Sequence, residues 1–161
     1  MWKKVKPYIL PYSVAIAIPL TVGILAAALT RDSMDIYGKL KTPPLSPPAI
    51  IFPIVWTILY VLMGVSSAMV YVNRKFNEET VKVAFKYYAI SLILNFAWSI
   101  VFFRMQSSLI ALIILIALLY YIIRTIIEYH KVLPIAAYLQ IPYAVWVAFA
   151  GYLNAGIYFL N

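Results

Sequence analysis

Residues 7–30 read PYILPYSVAIAIPLTVGILAAALT and contain no charged side chain. A helix needs about 20 apolar residues to cross the hydrocarbon core of a bilayer, and this run is long enough. Lys3, Lys4 and Lys6 precede the run, and Arg31 follows it. The apolar core of a cleaved signal peptide is only about 7–15 residues long, so the length favours a retained membrane helix.

Four more apolar runs follow, and short charged segments separate them. With the first run they predict five spans, at about residues 7–30, 48–73, 86–103, 108–129 and 134–160. Each span must be a helix, because an open strand leaves its backbone groups unsatisfied in lipid. The predicted fold is therefore an all-α membrane protein, a five-transmembrane-helix bundle in which residues 1–161 form a single domain.

The composition supports a membrane protein and excludes other classes. Hydrophobic residues make up 65% of the chain and charged residues 11%, whereas soluble domains are about half apolar and a quarter charged. A disordered chain would need low hydrophobicity and high charge. Cysteine is absent and His130 is the only histidine. We therefore expect no disulfide and no metal site, because a metal site combines several ligands.

The net charge of +8 indicates orientation in a membrane rather than binding of nucleic acid. The basic residues are few, scattered and close to span ends, unlike the basic stripe of a nucleic-acid-binding protein. Nine Lys and Arg residues fall on the side of the N-terminus and the second and fourth loops, against four on the other side. This bias predicts the N-terminus inside and the C-terminus outside.

The longest connection, residues 31–47, contains Pro43, Pro44 and Pro47. Proline fixes φ and biases the residue before it towards extended structure, so the segment is stiff. Two interpretations fit this composition: a lid over one end of the bundle, or a plain surface linker.

The spans offer little acid–base chemistry. All five acidic residues lie in loops or near span ends, whereas proton-coupled transporters usually keep a carboxylate inside the membrane. Tyrosines near the span ends, among them Tyr88 and Tyr129, fit an interfacial belt. What remains is aromatic and amide chemistry at helical spacing, carried by Trp56, Tyr60, Asn95, Trp98, Tyr143, Trp146, Ala150 and Asn154.

These aromatic and amide stripes have two interpretations. Asn95 and Asn154 must face the bundle interior, because an amide facing hydrocarbon is costly, and such residues commonly join helices. Helix packing alone explains Trp56 and Trp146 poorly, since their indole N–H groups need partners inside the apolar runs. An aromatic pocket with few polar groups is what a flat, apolar ligand would need.

Four stretches carry a resemblance to a known family. Residues 36–49 read IYGKLKTPPLSPPA, residues 52–64 read FPIVWTILYVLMG, and residues 94–99 and 142–146 read LNFAWS and PYAVW. In this order they resemble the TspO/MBR family of tryptophan-rich sensory and translocator proteins, here of bacterial type. The resemblance covers nearly the whole chain. It implies a five-helix bundle, often a homodimer, with a cavity beneath the first loop, in a bacterial cell membrane.

The resemblance also implies ligands and the residues that hold them. Family members bind protoporphyrin IX and haem, and some bind sterols or isoquinoline and benzodiazepine-type compounds. By motif, the lid would contribute Tyr37, the cavity would be lined by Trp56, Asn95, Trp98 and Trp146, and Ala150 would lie near the ligand and a helix interface. Tyr60 and Asn154 join this predicted site from the stripes. The candidates to pair with ligand propionates are Arg31, Lys39 and Lys41.

The expected function is tetrapyrrole binding in the lipid bilayer, as a transporter, sensor or regulator of porphyrin, with no covalent cofactor. One alternative is a light-dependent porphyrin-degrading enzyme that uses Trp56 and Trp146; no other catalytic residue is expected. Another alternative is a structural or regulatory membrane subunit without a small ligand.

The chain departs from the family pattern in two places. Family members commonly have Trp where this chain has Leu45 and Ile50, which predicts a thinner aromatic wall. The sterol-type motif needs a basic residue after its tyrosine, and no such residue follows Tyr158. Porphyrin is therefore the leading expected ligand, ahead of sterol.

Overall fold

The computed structural model describes residues 2–33 and 37–161, without the side chains of residues 2–7 and Phe76. Met34, Asp35 and Ile36, which include the start of the first family-like stretch, lie outside these residues. The described residues form helices and connections and contain no strand, which confirms the all-α prediction.

Within residues 2–33 and 37–161, six α-helices make five segments that are long and apolar enough to cross a membrane. The fifth segment consists of two helices, α5 and α6. The bounds are α1 Trp2–Thr30, α2 Ile51–Val72, α3 Glu78–Ser99, α4 Ser108–Val132, α5 Pro134–Tyr138 and α6 Ile141–Leu160.

The five segments close into a ring. α1 packs against α2 and α3, α3 packs against α4, α4 packs against α5 and α6, and α2 contacts α5 and α6. Because the number of crossings is odd, α1 begins on one side of the bundle and α6 ends on the other. We call these the N-terminal side and the C-terminal side.

The third segment begins earlier than the predicted Lys86 and ends in a wide turn. Asn77 caps α3, because its side-chain oxygen accepts the backbone N–H of Thr80 at 3.3 Å. Glu78 and Glu79 occupy the first turn, where acidic side chains complement the helix dipole. After Ser99 the helix continues as a π-helical turn, Ile100–Arg104. The start predicted at Lys86 is too late, because a membrane helix can continue beyond the hydrocarbon with charged residues such as Glu78 and Glu79.

The fifth segment breaks between α5 and α6. Pro142 is at the start of α6 and has no backbone N–H to donate to the carbonyl four residues earlier, which favours a break here. Gln140 lies at the break and is buried. Its Nε2 donates to Ser66 Oγ at 3.3 Å, and Ser66 Oγ donates to the Ala136 carbonyl oxygen at 2.7 Å. These two hydrogen bonds join the break to α2.

The burial of side chains confirms one prediction from the sequence and contradicts another. Asn95 and Asn154 are buried, as predicted. Tyr88 and Tyr129 are also buried, so their assignment to the interfacial belt was wrong. The Tyr129 hydroxyl shares a 2.8 Å hydrogen bond with Ser67. This polar partner on α2 allows Tyr129 to lie inside the bundle rather than at the membrane surface.

Candidate functional site

A cavity of about 210 Å³, which we call the inner cavity, lies between α1, α2 and α3. It opens at the outer face of α1 and α2, where Ile24, Ala27, Pro53 and Thr57 of its lining are exposed. α1 contributes small and aliphatic residues, including Leu20, Gly23 and Ala27. The opposite wall is aromatic, and its rings are those of Phe52, Trp56, Tyr60, Trp98 and Phe103. A flat apolar ligand suits this combination, because aromatic rings offer stacking faces and the small residues leave room.

Trp56 is at the centre of the aromatic wall. Its ring stacks on Tyr60 with a centroid distance of 5.5 Å and an interplanar angle of 26°. It also contacts Trp98 at 6.0 Å and the edge of Tyr143 at 6.1 Å. Since three neighbouring rings restrict the indole, the face that it presents to the cavity is held in place.

Asn95 holds two of these tyrosines. Its Oδ1 accepts the Tyr60 hydroxyl at 3.2 Å, and its Nδ2 donates to the Tyr143 hydroxyl at 3.0 Å. Asn95 is fully buried and does not belong to the lining of the inner cavity. Its place beside Tyr60 indicates that it orients the wall rather than contacting a ligand in the described cavity.

Asn154 holds the second tryptophan of the wall. The indole N–H of Trp98 donates to Asn154 Oδ1 at 3.3 Å. Asn154 Nδ2 in turn donates to the Ser108 carbonyl oxygen at 2.7 Å, at the first turn of α4. α3, α4 and α6 therefore meet at one amide, and the ring of Trp98 is oriented by all three.

Trp146 lies apart from the inner cavity. It packs edge-on against Phe52 at 5.9 Å and tilts against Phe149 at 5.6 Å. Its indole nitrogen is buried and has no hydrogen-bond partner among the described residues. A ligand in the inner cavity would touch Phe52 and reach Trp146 only if Phe52 moved.

Tyr37 and Ala150 border a small gap beside the inner cavity. The gap has a volume of about 10 Å³. The Tyr37 ring meets Phe52 edge-on at 5.3 Å, and its buried hydroxyl has no partner among the described residues. Burial raises the pKa of the Tyr37 hydroxyl, so the side chain stays neutral at physiological pH.

The loop from Tyr37 to Ile50, which we call the lid, is tied to α6 and to Asn161 at its end. The backbone N–H of Lys41 donates to Asn161 Oδ1 at 3.0 Å, and Asn161 Nδ2 donates to the Lys41 carbonyl oxygen at 2.9 Å. The Tyr152 hydroxyl donates to the Pro44 carbonyl oxygen at 2.8 Å. These contacts favour the lid over the plain linker, since a linker would not need specific partners on a distant helix.

The three predicted propionate partners are separate from the inner cavity. Arg31, Lys39 and Lys41 are exposed, and none of them belongs to its described lining. They lie on the C-terminal side, where the lid packs.

A second cavity, which we call the vestibule, opens on the C-terminal side, and Tyr37 and Leu40 of the first loop belong to its lining. Its volume is about 430 Å³. The polar residues of its lining are Ser33, Gln106, Ser107, Ser108 and Asn161, and its aromatic residues include Tyr37, Phe102 and Phe103. Gln106 and Ser107 lie in the turn before α4, and this turn carried no signal in the sequence beyond the polarity of these two residues.

The TspO/MBR family profile matches residues 15–160. The chain is 37% identical over 154 residues to the tryptophan-rich protein TspO of Chlorobaculum tepidum, covering 95% of this chain and 97% of that protein. It is 37% identical over 139 residues to the translocator protein of Bos taurus, covering 85% and 82%.

The chain belongs to the TspO/MBR family. Membership and the five apolar helices together make it an integral, multi-pass membrane protein. The tryptophan-rich sensory protein of Cereibacter sphaeroides is 30% identical over 145 residues, covering 90% of this chain and 85% of that protein.

Leu45 and Ile50, for which the sequence predicted a thinner aromatic wall, lie on the outside of the bundle. Leu45 is 84% exposed and Ile50 is 66% exposed, and neither belongs to the described lining of the inner cavity or the vestibule. Their aliphatic side chains therefore do not thin the aromatic wall of the inner cavity. Among the described residues, no group of acidic, His or Cys side chains could hold a metal ion.

Proposed function

We propose that this chain binds a flat, largely apolar ligand of the tetrapyrrole class, protoporphyrin IX or haem, and acts as a transporter, sensor or regulator of it. The observation that carries the proposal is the aromatic wall of the inner cavity. Trp56, Tyr60 and Trp98 present their rings to one space. Hydrogen bonds to Asn95 and Asn154 hold Tyr60 and Trp98, and the Trp56 ring stacks on Tyr60. Pre-oriented aromatic faces bind a planar ring without losing side-chain entropy.

The lining of the inner cavity supports binding more than turnover. The described part of its lining includes no Asp, Glu, His, Lys or Arg, which are among the side chains that carry general acid–base catalysis. Light-dependent porphyrin breakdown would therefore depend on the photochemistry of the ligand, with Trp56 as the neighbouring indole. Product formation in light, compared with a dark and anaerobic incubation, separates this activity from binding alone.

The binding test compares two tryptophans that differ in position. We expect protoporphyrin IX to bind the detergent-solubilised protein saturably. Binding is measured by porphyrin absorbance, because this signal does not depend on the protein's tryptophans and is unaffected when one of them is replaced. Trp56→Leu removes a stacking face worth about 0.5–1.5 kcal/mol, so Kd should rise about two- to tenfold. Trp146→Leu is the matched control and should change Kd by less than about twofold, since Trp146 does not line the cavity.

Two outcomes would overturn the assignment. Absence of saturable binding of either protoporphyrin IX or haem would favour the structural subunit without a small ligand. A larger loss of affinity in Trp146→Leu than in Trp56→Leu would move the ligand to the other side of Phe52.

The proposal extends to orientation and assembly. We propose that the N-terminal side faces the cytoplasm of a bacterial cell, because more Lys and Arg residues lie on that side,. A homodimer is part of the same proposal, and light scattering of the detergent-solubilised protein tests it.

A further inference from the structure

Three spaces lie in sequence along the bundle on the C-terminal side. The vestibule shares Tyr37, Phe102, Phe103 and Ile157 with the small gap. The gap shares Phe52, Trp98 and Phe103 with the inner cavity. Phe103 is therefore a wall of all three, and the gap is the constriction between the two larger spaces.

Phe103 occupies a special place in the backbone. It lies in the π-helical turn Ile100–Arg104, and such turns insert a residue into a helix, often at functional sites. Phe102 and Phe103 are adjacent in sequence and meet edge-on at 4.9 Å, while Phe103 also contacts the edge of Trp98 at 6.1 Å. The wide turn thus places two consecutive phenyl rings at the constriction.

The sizes of the spaces indicate why the constriction matters. Sites for drug-sized ligands usually have volumes of about 300–1,000 Å³. The inner cavity, at about 210 Å³, is smaller, and the vestibule has about 430 Å³. If the Phe103 ring rotates away, the two spaces join and their combined volume falls within the usual range.

The two larger spaces differ in chemistry. The inner cavity is mainly aromatic and aliphatic, whereas the vestibule carries hydroxyl and amide groups from Ser107, Ser108, Gln106 and Asn161. Hydroxyl and amide groups donate hydrogen bonds to carboxylates. The exposed bases on this side add a positive field for an anion.

We propose that the vestibule is a second ligand compartment, which takes the polar, carboxylate-bearing end of an amphiphilic ligand, and that Phe103 is the gate between it and the inner cavity. This inference rests on the proposed function, because the apolar end of the same ligand occupies the inner cavity.

The gate is testable without any porphyrin. The chain has no cysteine, so single cysteines are the only targets of a small, water-soluble thiol reagent. Ser99→Cys places a thiol on the inner cavity. Its modification should accelerate about fivefold or more when Phe103→Ala is added, because a water-soluble reagent arrives from the aqueous C-terminal side and the Phe103 ring closes that route. Phe149→Ala, which removes a phenyl ring outside the three spaces, is the matched control and should leave the rate unchanged.

Lys75→Cys on the N-terminal side controls for general loosening of the bundle. Its modification rate should be the same with and without Phe103→Ala. An unchanged rate at Ser99→Cys in the Phe103→Ala background would overturn the gate, and so would equal acceleration by Phe149→Ala.

Protection by bound ligand tests the vestibule and separates its failure from failure of the proposed function. Saturating protoporphyrin IX should slow modification of both Ser99→Cys and Ser107→Cys, since Ser107 lines the vestibule. Protection of Ser99→Cys alone would overturn the vestibule as a ligand compartment and leave the proposed function standing. Protection at neither position would overturn the proposed function, whatever the gate does to the reagent.

Discussion

Replacing Asn95 with leucine should destabilise the bundle and disorder the aromatic wall. Leucine is similar in size but cannot hydrogen-bond, so the Tyr60 and Tyr143 hydroxyls both lose their partner. Asn95 is 0% exposed, and water cannot replace the missing amide without entering the bundle.

The free energy of unfolding that Asn95→Leu should lose has two contributions. A hydrogen bond between membrane helices is worth about 0.6 kcal/mol on average, so the two bonds together contribute about 1.2 kcal/mol. Each buried hydroxyl left without a partner adds about 1–3 kcal/mol. Because a hydroxyl can rotate towards a backbone carbonyl and recover part of this cost, we expect a loss of about 2–4 kcal/mol.

A double-mutant cycle with Tyr60→Phe provides the assay. Unfolding is followed by circular dichroism as the fraction of denaturing detergent in mixed micelles rises. Tyr60→Phe alone should cost about 1 kcal/mol or less, because it removes one bond and leaves a satisfiable amide. In the Asn95→Leu background the same change should cost nothing or restore stability, since it removes an unpartnered hydroxyl.

The cycle can contradict the reasoning in two ways. Additive effects of Asn95→Leu and Tyr60→Phe would show that the two side chains are not coupled. A loss below about 0.5 kcal/mol in Asn95→Leu would show that the Asn95 hydrogen bonds do not hold the wall.

Two further predictions concern the shape of the cavity and the closure of the lid. A Cβ at Gly23 would lie 2.8 Å from Cδ2 of the Tyr60 ring. Gly23→Ala should therefore displace Tyr60 and weaken protoporphyrin IX binding about tenfold or more. Ala27→Gly on the same helix is the control and should change the affinity by less than about threefold. Equal affinities of Gly23→Ala and the unsubstituted protein would refute the close approach of Gly23 and Tyr60. Asn161→Ala removes both hydrogen bonds to Lys41, and the Lys41 amide should exchange hydrogen about tenfold faster. Unchanged exchange would show that Asn161 does not hold the lid.

Much of the fold can be predicted from sequence patterns without any tertiary information. The lengths of the apolar runs determine the five spans, because the bilayer sets the length of a helix. Asn95 and Asn154 were predicted to face inward for an equally general reason, since an amide is costly in hydrocarbon. Both predictions depend on the solvent alone, and both are confirmed.

Predictions were less accurate where a residue's surroundings depend on which helix lies opposite it. Trp56 and Trp146 have similar sequence surroundings, but the ring of Trp56 faces the inner cavity while Trp146 packs behind Phe52. Tyr88 and Tyr129 looked interfacial, yet both are buried. Helical spacing gives the relative directions of side chains on one helix and contains no information about the neighbouring helix.

The sequence by itself determined that the chain is a five-helix membrane bundle whose polar residues face inward, because the lipid imposes both properties. Only the tertiary structure decided that Phe103 lies between two cavities, since a π-helical turn redirects consecutive side chains without a sequence signal. It also decided that the lid is tied to α6 through Asn161, a pairing across 120 positions of the chain. Such contacts depend on where distant segments meet, which local patterns do not encode.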